Sequence, residues 1–319
     1  MKKSNRNLYW LIAGTIVLAG LLGSCKKSTS GHSGPKPPNN PGGYDSANQI
    51  QPNALVAYWP FNGSPTDVKQ GLTGSLTNAS YTTGVKGQAY KGGGDSYLQI
   101  TSTGTLGSLT SYTLSVWFEE PAEPINDTTA NYIAGQGAQG LFFMYDTVQA
   151  WNLLHLDFEP YKPVSGDSVV VHAGFNSTGA VAYQGIVPAG WLDSGLNKWE
   201  QVVVTYDGGS SKYTLYQNGV AIGAETAWSS GQFAATPASI WTDGSATTPF
   251  GNIKYKNPPL GIIIGAFPQA VQPTISNSIG GPQPWSGNFQ GALDEIRVYN
   301  AALNASDVAS LYILEKAGF

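Results

Sequence analysis

Short runs of strand-forming residues, separated by turn dipeptides, dominate the chain from residue 53 onward. Asp207-Gly208 and Asn218-Gly219 are dipeptides favoured in hairpin turns, and only residues 304–316 show helical spacing. The clearest strand candidates are residues 55–61, 97–101, 112–118, 153–158, 168–175, 200–206, 213–217, 260–265 and 292–299. Many strands without alternating helices predict an all-β fold, a two-sheet antiparallel β-sandwich or jelly roll.

Composition and charge exclude several classes of protein. Charged residues make up 11% of the chain and aromatic residues 12%, whereas disorder requires high charge and few aromatics. The chain has 16 basic and 20 acidic side chains and no basic stripe, which argues against nucleic-acid binding. The sequence also lacks a phosphate loop, a dinucleotide fingerprint and zinc-ligand spacing, so most enzyme classes are excluded.

The N-terminus has the pattern of an export signal. Three basic residues within positions 2–6 precede an apolar run over residues 8–22. That run is about 15 residues long, shorter than the roughly 20 needed to span a bilayer, so it indicates a signal peptide. It ends in Leu-Gly-Ser-Cys, which resembles the bacterial lipobox, with Cys25 as the lipidated residue. Cys25 is the only cysteine, so the exported domain has no disulfide.

These features divide the chain into three parts. We expect a lipoprotein signal peptide over residues 1–24, the lipidated Cys25 with a flexible polar linker over residues 25–52, and one folded domain over residues 53–319. The lipid predicts an anchor in the outer membrane. The face stays open, because Lys26 and Lys27 follow the cysteine, whereas surface lipoproteins of Bacteroidota often carry acidic residues there.

Four sequence blocks carry a family resemblance. They read LVAYWPFNG at 55–63, YTLSVWF at 112–118, WEQVVVTYDG with LYQNG at 199–219, and FQGALDEIRVYNAAL at 289–303. In this order they resemble the laminin-G-like domains of the concanavalin A-like lectin/glucanase superfamily. The resemblance implies a jelly roll with one concave and one convex face. The segments 119–148 and 224–259 are longer than the corresponding connections of the family. They are either functional loops or lineage-specific decoration.

A polar strand face is one candidate ligand site. In residues 154–159 the apolar side chains alternate with His155, Asp157 and Glu159, which places these three on one face. The spacing resembles the glucanase signature, in which a first Glu is the nucleophile, the Asp supports it and the last Glu is the acid/base. Here His155 occupies the nucleophile position, so we assign no catalytic residue. A degenerate sugar site, an active glycosidase and an ordinary solvated strand face stay open.

Tryptophans provide the second set of candidates, because sugars stack their C–H faces on flat rings. Trp117 alternates with Leu114, Val116 and Phe118, so we expect it to point away from the inter-sheet core into the concave face. Five others sit in Gly-, Ser- and Pro-rich surroundings and are candidates for ligand contact: Trp151, Trp191, Trp228, Trp241 and Trp285. The alternative is that they pin long loops to the sandwich.

The resemblance also implies a structural calcium where the opening and closing segments meet. Asp294 and Asn62 match those segments, and Asp67 is a further candidate ligand. Calcium takes six to eight oxygen ligands, including backbone carbonyls.

We therefore interpret the sequence as a membrane-tethered, carbohydrate-binding lipoprotein without catalytic activity, whose partner is a glycan. A protein-binding or adhesive laminin-G-like module is the main alternative, and a glycoside hydrolase is the third. The sequence does not identify the glycan or the oligomeric state.

Overall fold

A computed structural model describes residues 35–121, 138–148, 153–159, 169–175, 191–192, 197–226, 250–283 and 286–319. The chain divides between Lys36 and Pro37 into two units, and every described helix and strand belongs to the second. The described residues form sixteen strands and one α-helix. None of their helices has the length and apolar character needed to cross a membrane.

The strands form two eight-stranded sheets. The first sheet contains β1 (Leu55–Trp59), β3 (Ser80–Thr83), β4 (Gln88–Lys91), β6 (Tyr112–Glu119), β11 (Trp199–Asp207), β12 (Lys212–Gln217), β13 (Val220–Thr226) and β16 (Ala292–Tyr299). The second contains β2 (Ser75–Thr77), β5 (Tyr97–Ile100), β7 (Ala138–Tyr145), β8 (His155–Glu159), β9 (Val169–Gly174), β10 (Trp191–Leu192), β14 (Gly261–Ile264) and β15 (Ser286–Asn288).

The order of strands in the first sheet is β13-β12-β11-β6-β16-β4-β3, with β1 also paired to β16. The order in the second sheet is β10-β9-β8-β7-β14-β5-β2. In the second sheet β15 pairs with β7 in parallel, whereas the other described strand pairs are antiparallel. The predicted all-β two-sheet sandwich is confirmed, and each of the nine predicted strands is a strand.

The main core lies between the sheets because each strand alternates apolar residues toward the same side. On β6 the inward residues are Leu114, Val116 and Phe118, and all are fully buried. On β8 they include Phe158, whose ring meets that of Phe118 edge-on at 4.7 Å between centroids. Burying each such ring stabilises the fold by about 2–3 kcal/mol.

The helix α1 (Ala305–Lys316) covers the outer face of the first sheet. Asn304 caps it by accepting a hydrogen bond from the Asp307 N–H at 2.9 Å, a standard N-terminal signal. Its apolar side forms a second core with the sheet, composed of Ala47, Ile50, Leu55, Tyr58, Val203, Tyr216, Tyr299, Leu303, Val308, Leu311 and Leu314.

The predicted boundary at residue 53 lies too late in the chain. Ala47 and Ile50 are fully buried in this second core, although the stretch around them is polar. The Tyr44 hydroxyl donates to Asp307 at 2.7 Å, and the Gly42 N–H donates to Ser310 Oγ at 2.8 Å. Residues 42–51 are thus part of the folded domain. The polar average composition of this stretch predicted a flexible linker, although Ala47 and Ile50 are apolar and buried.

Candidate functional site

The outer face of the second sheet carries a cluster of titratable side chains. In the register of the sheet His155 pairs with Phe143 of β7, and Asp157 pairs with His172 of β9. The neighbours Leu156 and Phe158 point into the main core, so alternation places His155 and Asp157 on the opposite side. We call His155, Asp157, His172 and Phe143 the outer-face cluster.

The cluster is buried and ordered by specific contacts. His155 and Asp157 are 0% exposed and His172 is 2% exposed. His172 Nδ1 lies 3.9 Å from Asp157 Oδ2, and the His155 ring stacks on Phe143 at 5.5 Å with a 14° interplanar angle. These contacts fix the two rings in place beside one carboxylate.

His155 is a neutral hydrogen-bonding group. Burial lowers the pKa of His155 to about 4, and the electrostatic effect of the neighbouring His172 acts in the same direction. Its Nδ1 lies 3.0 Å from the Leu153 carbonyl oxygen, which can only accept. The proton of the neutral ring is therefore assigned to Nδ1, which leaves a lone pair on Nε2. At pH 7 the imidazole can accept a hydrogen bond but provides no positive charge.

An apolar wall borders the cluster on one side. The chain near Ala266 crosses close over Gly140, where a Cβ atom would lie 2.3 Å from the Ala266 carbonyl carbon. Phe267 packs on Phe143 at 4.7 Å between ring centroids. Together with Tyr97, Tyr145, Ile263 and Val271 these residues form an apolar cluster. The arrangement combines apolar rings with a carboxylate and two imidazoles, and all of these side chains are buried.

On the opposite side of the sandwich, buried charges attach α1 to the first sheet. Arg297 donates from Nε to Glu315 at 2.5 Å, from Nη2 to Glu295 at 3.0 Å and from Nη1 to Asn48 at 2.8 Å. Its guanidinium lies 3.7 Å from the centroid of the Tyr58 ring. Arg297, Glu295 and Glu315 are fully buried, and we call the three the buried charge network.

A β-bulge on β16 makes this network possible. Asp294 pairs with Trp117 and Arg297 with Ser115, so β16 holds one residue more than β6 over this stretch. The extra residue is accommodated at Glu295, whose φ of 47° lies in the left-handed region. Such a conformation costs roughly 1–3 kcal/mol and persists only where surrounding contacts impose it.

Trp117 belongs to this structural layer and not to a ligand site. The sequence correctly placed its ring away from the inter-sheet core, but that face of the sheet is covered by α1. The indole N–H donates to Glu315 Oε2 at 2.7 Å, and the ring stacks on Tyr312 at 5.4 Å with a 14° angle. Its 1% exposure leaves no surface for a sugar, which corrects the predicted role.

Solved structures of known proteins share this architecture. The ligand-binding domain of botulinum neurotoxin serotype D, solved with N-acetylneuraminic acid, matches with a TM-score of 0.50 at 10% identity, over 84% of this chain and 52% of that one. The chain has a concanavalin A-like fold. No family model and no curated protein sequence matches it.

Two further solved structures cover a similar part of the chain. Domain 4 of a GH43 extracellular arabinanase from Geobacillus stearothermophilus, in complex with arabinotriose, has a TM-score of 0.44 at 18% identity, over 81% of this chain and 97% of that one. The binding domain of Paraclostridial Mosquitocidal Protein 1 has a TM-score of 0.49 at 16% identity, over 82% and 52%. The chain spans about half the length of the two toxin domains.

Several predicted site residues are described only by their backbone or lie outside the described residues. Trp191 lies in β10, at the edge of the second sheet, with its backbone paired to Val170, but its side chain is not described. The same holds for the side chain of Glu159 in β8. Wholly outside the described residues are Cys25, Trp151, Trp228, Trp241 and Trp285. Their roles stay predictions.

The three calcium candidates act as acceptors for backbone turns. Asp67 accepts from the N–H groups of Tyr58, Lys69 and Gln70 at 2.6, 2.9 and 2.7 Å. Asn62 Oδ1 accepts from the Gln88 N–H at 2.8 Å, and Asp294 accepts from the N–H groups of Lys86 and Glu295 at 3.0 and 2.8 Å.

These bonds bear on whether calcium fits. Asp67 Oδ1 accepts from Tyr58 of β1 and from Lys69, and Oδ2 accepts from Gln70, so both oxygens already hold backbone groups. Nowhere in the described part of the chain do three His, Cys, Asp or Glu side chains come close enough to hold a metal. A calcium ion at Asn62 and Asp294 stays a prediction of the resemblance.

Asp294 should make stability depend on pH. Burial, with a contribution from the Glu295 carboxylate, raises the pKa of Asp294 to about 8. The folded protein therefore keeps a proton that the unfolded chain releases above about pH 4, and stability falls as pH rises from about 4 to 8. The slope for one such group is about 1 kcal/mol per pH unit. Burial also raises the pKa of Glu120 to about 7, which acts in the same direction.

Urea unfolding at pH 5 and pH 8 measures this effect. We expect the wild type to be more stable at pH 5, and Asp294→Asn to show a shallower slope. Equal stability at both pH values would show that Asp294 is ionised when folded. A calcium ion bound there would also flatten the slope, because it holds the carboxylate deprotonated; repeating the series in EDTA separates the two cases.

Proposed function

We propose that this protein is a carbohydrate-binding lipoprotein with a laminin-G-like domain, tethered to the outer membrane by a lipid on Cys25. The ligand is a glycan bound on the outer face of the second sheet, over the buried outer-face cluster, and no reaction is catalysed. The observation that carries the proposal is the placement of His155, Asp157 and His172 side by side on the outer face of the second sheet.

The free-energy cost of burying polar side chains is the reason why this placement points to a function. Burying a carboxylate and two imidazoles is costly unless each makes specific polar interactions. The residues of the same strand that point into the main core are apolar, so packing of that core does not require a charged side chain at His155 or Asp157. A sugar offers many hydroxyls as donors and acceptors, and the neighbouring apolar wall around Phe267 suits its C–H faces. In this proposal a polyhydroxylated ligand binds over this face, and the buried cluster orders the strands beneath it.

The same residues argue against glycoside hydrolysis. A retaining glycosidase requires two carboxyl groups roughly 5–5.5 Å apart, one of which forms a covalent ester with the sugar. In the glucanase signature that nucleophile is a Glu, and here its position is occupied by His155, which is neutral and stacked on Phe143. Asp157 and Glu159 are two residues apart on one strand, so their backbone positions are separated by about 6.6 Å, which is more than the carboxyl separation of a retaining glycosidase.

The neurotoxin domain with the same fold was solved with N-acetylneuraminic acid, which accords with the proposal. That likeness supports the fold alone, at 10% identity. The proposal therefore depends on the outer-face cluster of this chain, and the lipid anchor on the sequence at Cys25. Mass spectrometry of the membrane-extracted protein tests the anchor, since a diacylglyceryl-modified N-terminal cysteine is expected.

Binding to a glycan array, followed by calorimetric titration of the strongest ligand, tests the function. We expect Asp157→Asn to weaken binding about 10- to 100-fold, because the buried carboxylate orders the face over which the glycan binds. Asp95→Asn is the matched control, since Asp95 is exposed in a loop.

Two further measurements test alternative explanations of the binding result. Thermal unfolding of both variants checks that a loss of affinity is not a loss of fold. Reducing-sugar release from the bound glycan, abolished in Glu159→Gln, would replace the proposal with glycoside hydrolysis. Unchanged affinity in Asp157→Asn, or a stoichiometric protein partner with no retained glycan, would refute it.

A further inference from the structure

A second polar surface lies on the outer face of the first sheet, beyond the end of α1. Strand pairing aligns one residue from each of four neighbouring strands: Trp199 of β11, Glu119 of β6, Ala292 of β16 and Lys91 of β4. Residues that pair across antiparallel strands point to the same face of a sheet, with their Cβ atoms about 5 Å apart. We call these four residues the transverse row.

The transverse row points away from the main core. The adjacent residues on three of its strands, Phe118, Leu293 and Tyr90, are buried in that core. On β11 the core contains Val202, and Trp199 lies an odd number of residues away. Alternation along each strand therefore directs all four members of the row outward.

Helix α1 stops short of the transverse row. Its last turn covers the neighbouring set of outward side chains, where Glu315 accepts hydrogen bonds from Trp117 and Gln201 at 2.7 and 3.0 Å. The transverse row lies two residues further along each strand, at a distance of about 6.6 Å. None of its members belongs to the second core beneath α1. Its three long side chains are half-buried, so part of each is accessible to a ligand.

Trp199 differs from the other tryptophans whose side chains the structure describes. Trp59 and Trp117 are fully buried, whereas Trp199 is half-buried. Among the described residues no acceptor binds the Trp199 indole N–H. An indole combines a large apolar face with one hydrogen-bond donor, so it suits a ligand that offers both C–H groups and oxygen atoms.

Glu119 and Lys91 supply polar groups of opposite sign. Within the described chain the Glu119 carboxylate makes neither a hydrogen bond nor an ion pair, whereas Asp294 accepts from two backbone N–H groups. Lys91 likewise has no ion pair with a described residue; it donates one of its three N–H groups to the Gln290 carbonyl at 3.2 Å. Ala292 between the two charged side chains is small and fully buried. The row thus presents an acceptor, a donor and an aromatic ring in one line.

We propose that the transverse row binds a neutral glycan whose chain runs across the strands. Trp199 stacks on the C–H face of one sugar, Glu119 accepts from hydroxyl groups, and Lys91 donates to an oxygen further along the chain. Three strand spacings of about 4.8 Å separate Trp199 from Lys91 by roughly 14 Å, which accommodates a short oligosaccharide. The two charges cancel, so the row has no net attraction for a charged glycan.

This inference rests on the proposed function, because it takes the ligand to be a glycan. It adds a second binding surface on the opposite sheet, with residues that share no contact with the outer-face cluster. The surface consists of half-buried side chains, so a ligand reaches it without any rearrangement of the sandwich.

NMR titration of the protein with cellohexaose, xylohexaose and mannohexaose tests the inference. All three probes are neutral and linear. We expect at least one of them to shift the indole N–H signal of Trp199, which is identified by its disappearance in Trp199→Phe. The backbone amides of Glu119 and Lys91 should shift in the same titration.

Substitutions with matched controls measure the contribution of each side chain. Trp199→Ala should weaken binding of the responding probe at least about tenfold, and Glu119→Gln and Lys91→Met about three- to tenfold each, because each variant loses one contact. Asp95→Asn and Lys212→Met remove the same charges from exposed positions outside the row and should leave the affinity unchanged. Thermal unfolding checks the fold of each variant. If Trp199→Ala is unfolded, Glu119→Gln and Lys91→Met decide.

A charged probe tests the assigned class of ligand. Hexagalacturonic acid carries a carboxylate on every residue and should bind at the row more weakly than the neutral probe. Tighter binding of this acid, no shift at Trp199 with any neutral probe, or unchanged affinity in the folded row variants would overturn the inference.

The two binding surfaces fail independently. Asp157→Asn should leave the Trp199 shift intact, because Asp157 lies in the other sheet. No response at Trp199, combined with glycan binding that depends on Asp157, rejects only the transverse row. A response at Trp199, combined with no effect of Asp157→Asn on the array-derived ligand, rejects the proposed site on the second sheet.

Discussion

Arg297→Ala is expected to lower the free energy of unfolding by about 3–5 kcal/mol. The substitution leaves Glu295 and Glu315 fully buried without their shared cation, and Asn48 loses its donor. The carboxylates of Glu295 on β16 and Glu315 on α1 then lie buried without their counter-charge. Urea unfolding followed by far-ultraviolet circular dichroism measures the loss. Because residues 42–51 pack on the same helix, proteolysis near residue 50 should accelerate in parallel.

Lys198→Ala provides the comparison for this prediction. Lys198 pairs with Glu200 at 3.1 Å, but the lysine side chain is 49% exposed, so its removal should change stability by at most about 1 kcal/mol. In the double variant Arg297→Ala/Glu315→Gln part of the loss should be recovered, because one unpaired charge has been removed. A loss below about 1 kcal/mol for Arg297→Ala would mean that the buried charge network does not hold α1 in place.

Trp117→Phe should destabilise the protein by about 2–4 kcal/mol, against about 1–2 kcal/mol for Trp59→Phe. Both indoles are fully buried in the first sheet. The Trp117 N–H donates to Glu315, whereas the Trp59 N–H has no hydrogen-bond acceptor among the described residues. The difference between the two variants isolates one hydrogen bond to a buried carboxylate.

Ligand affinity separates this structural role from the one predicted from sequence. Under conditions where both variants are folded, Trp117→Phe should bind glycan as the wild type does. A selective loss of glycan affinity in Trp117→Phe, with stability close to that of Trp59→Phe, would return Trp117 to a ligand site.

Much of the architecture was predictable because local patterns were strong. The alternation in residues 112–118 and 200–206 identified β6 and β11, and Asn304 marked the start of α1. The sequence analysis missed β7, where all eight residues are buried, because a strand covered on both faces shows no alternation. It also missed β2, β3, β4, β10 and β15, which are only two to four residues long, and the seven-residue β13, which follows the Asn218-Gly219 turn.

The candidate site was only partly predictable. Alternation placed His155 and Asp157 on one face, but nothing in the sequence indicated that His172 of β9 would lie opposite Asp157. That pairing depends on strand register, which is set across the whole sheet.

By itself, the sequence determined the all-β class, the two-sided character of each alternating strand and the position of the C-terminal helix. These depend on neighbours within a few residues, where side-chain direction and turn chemistry act. The tertiary structure alone decided which outer face each polar side chain meets. Trp117 and His155 both point away from the main core, but α1 covers one, while the other joins a carboxylate and a second imidazole. That difference arises from long-range packing, which residue periodicity does not encode.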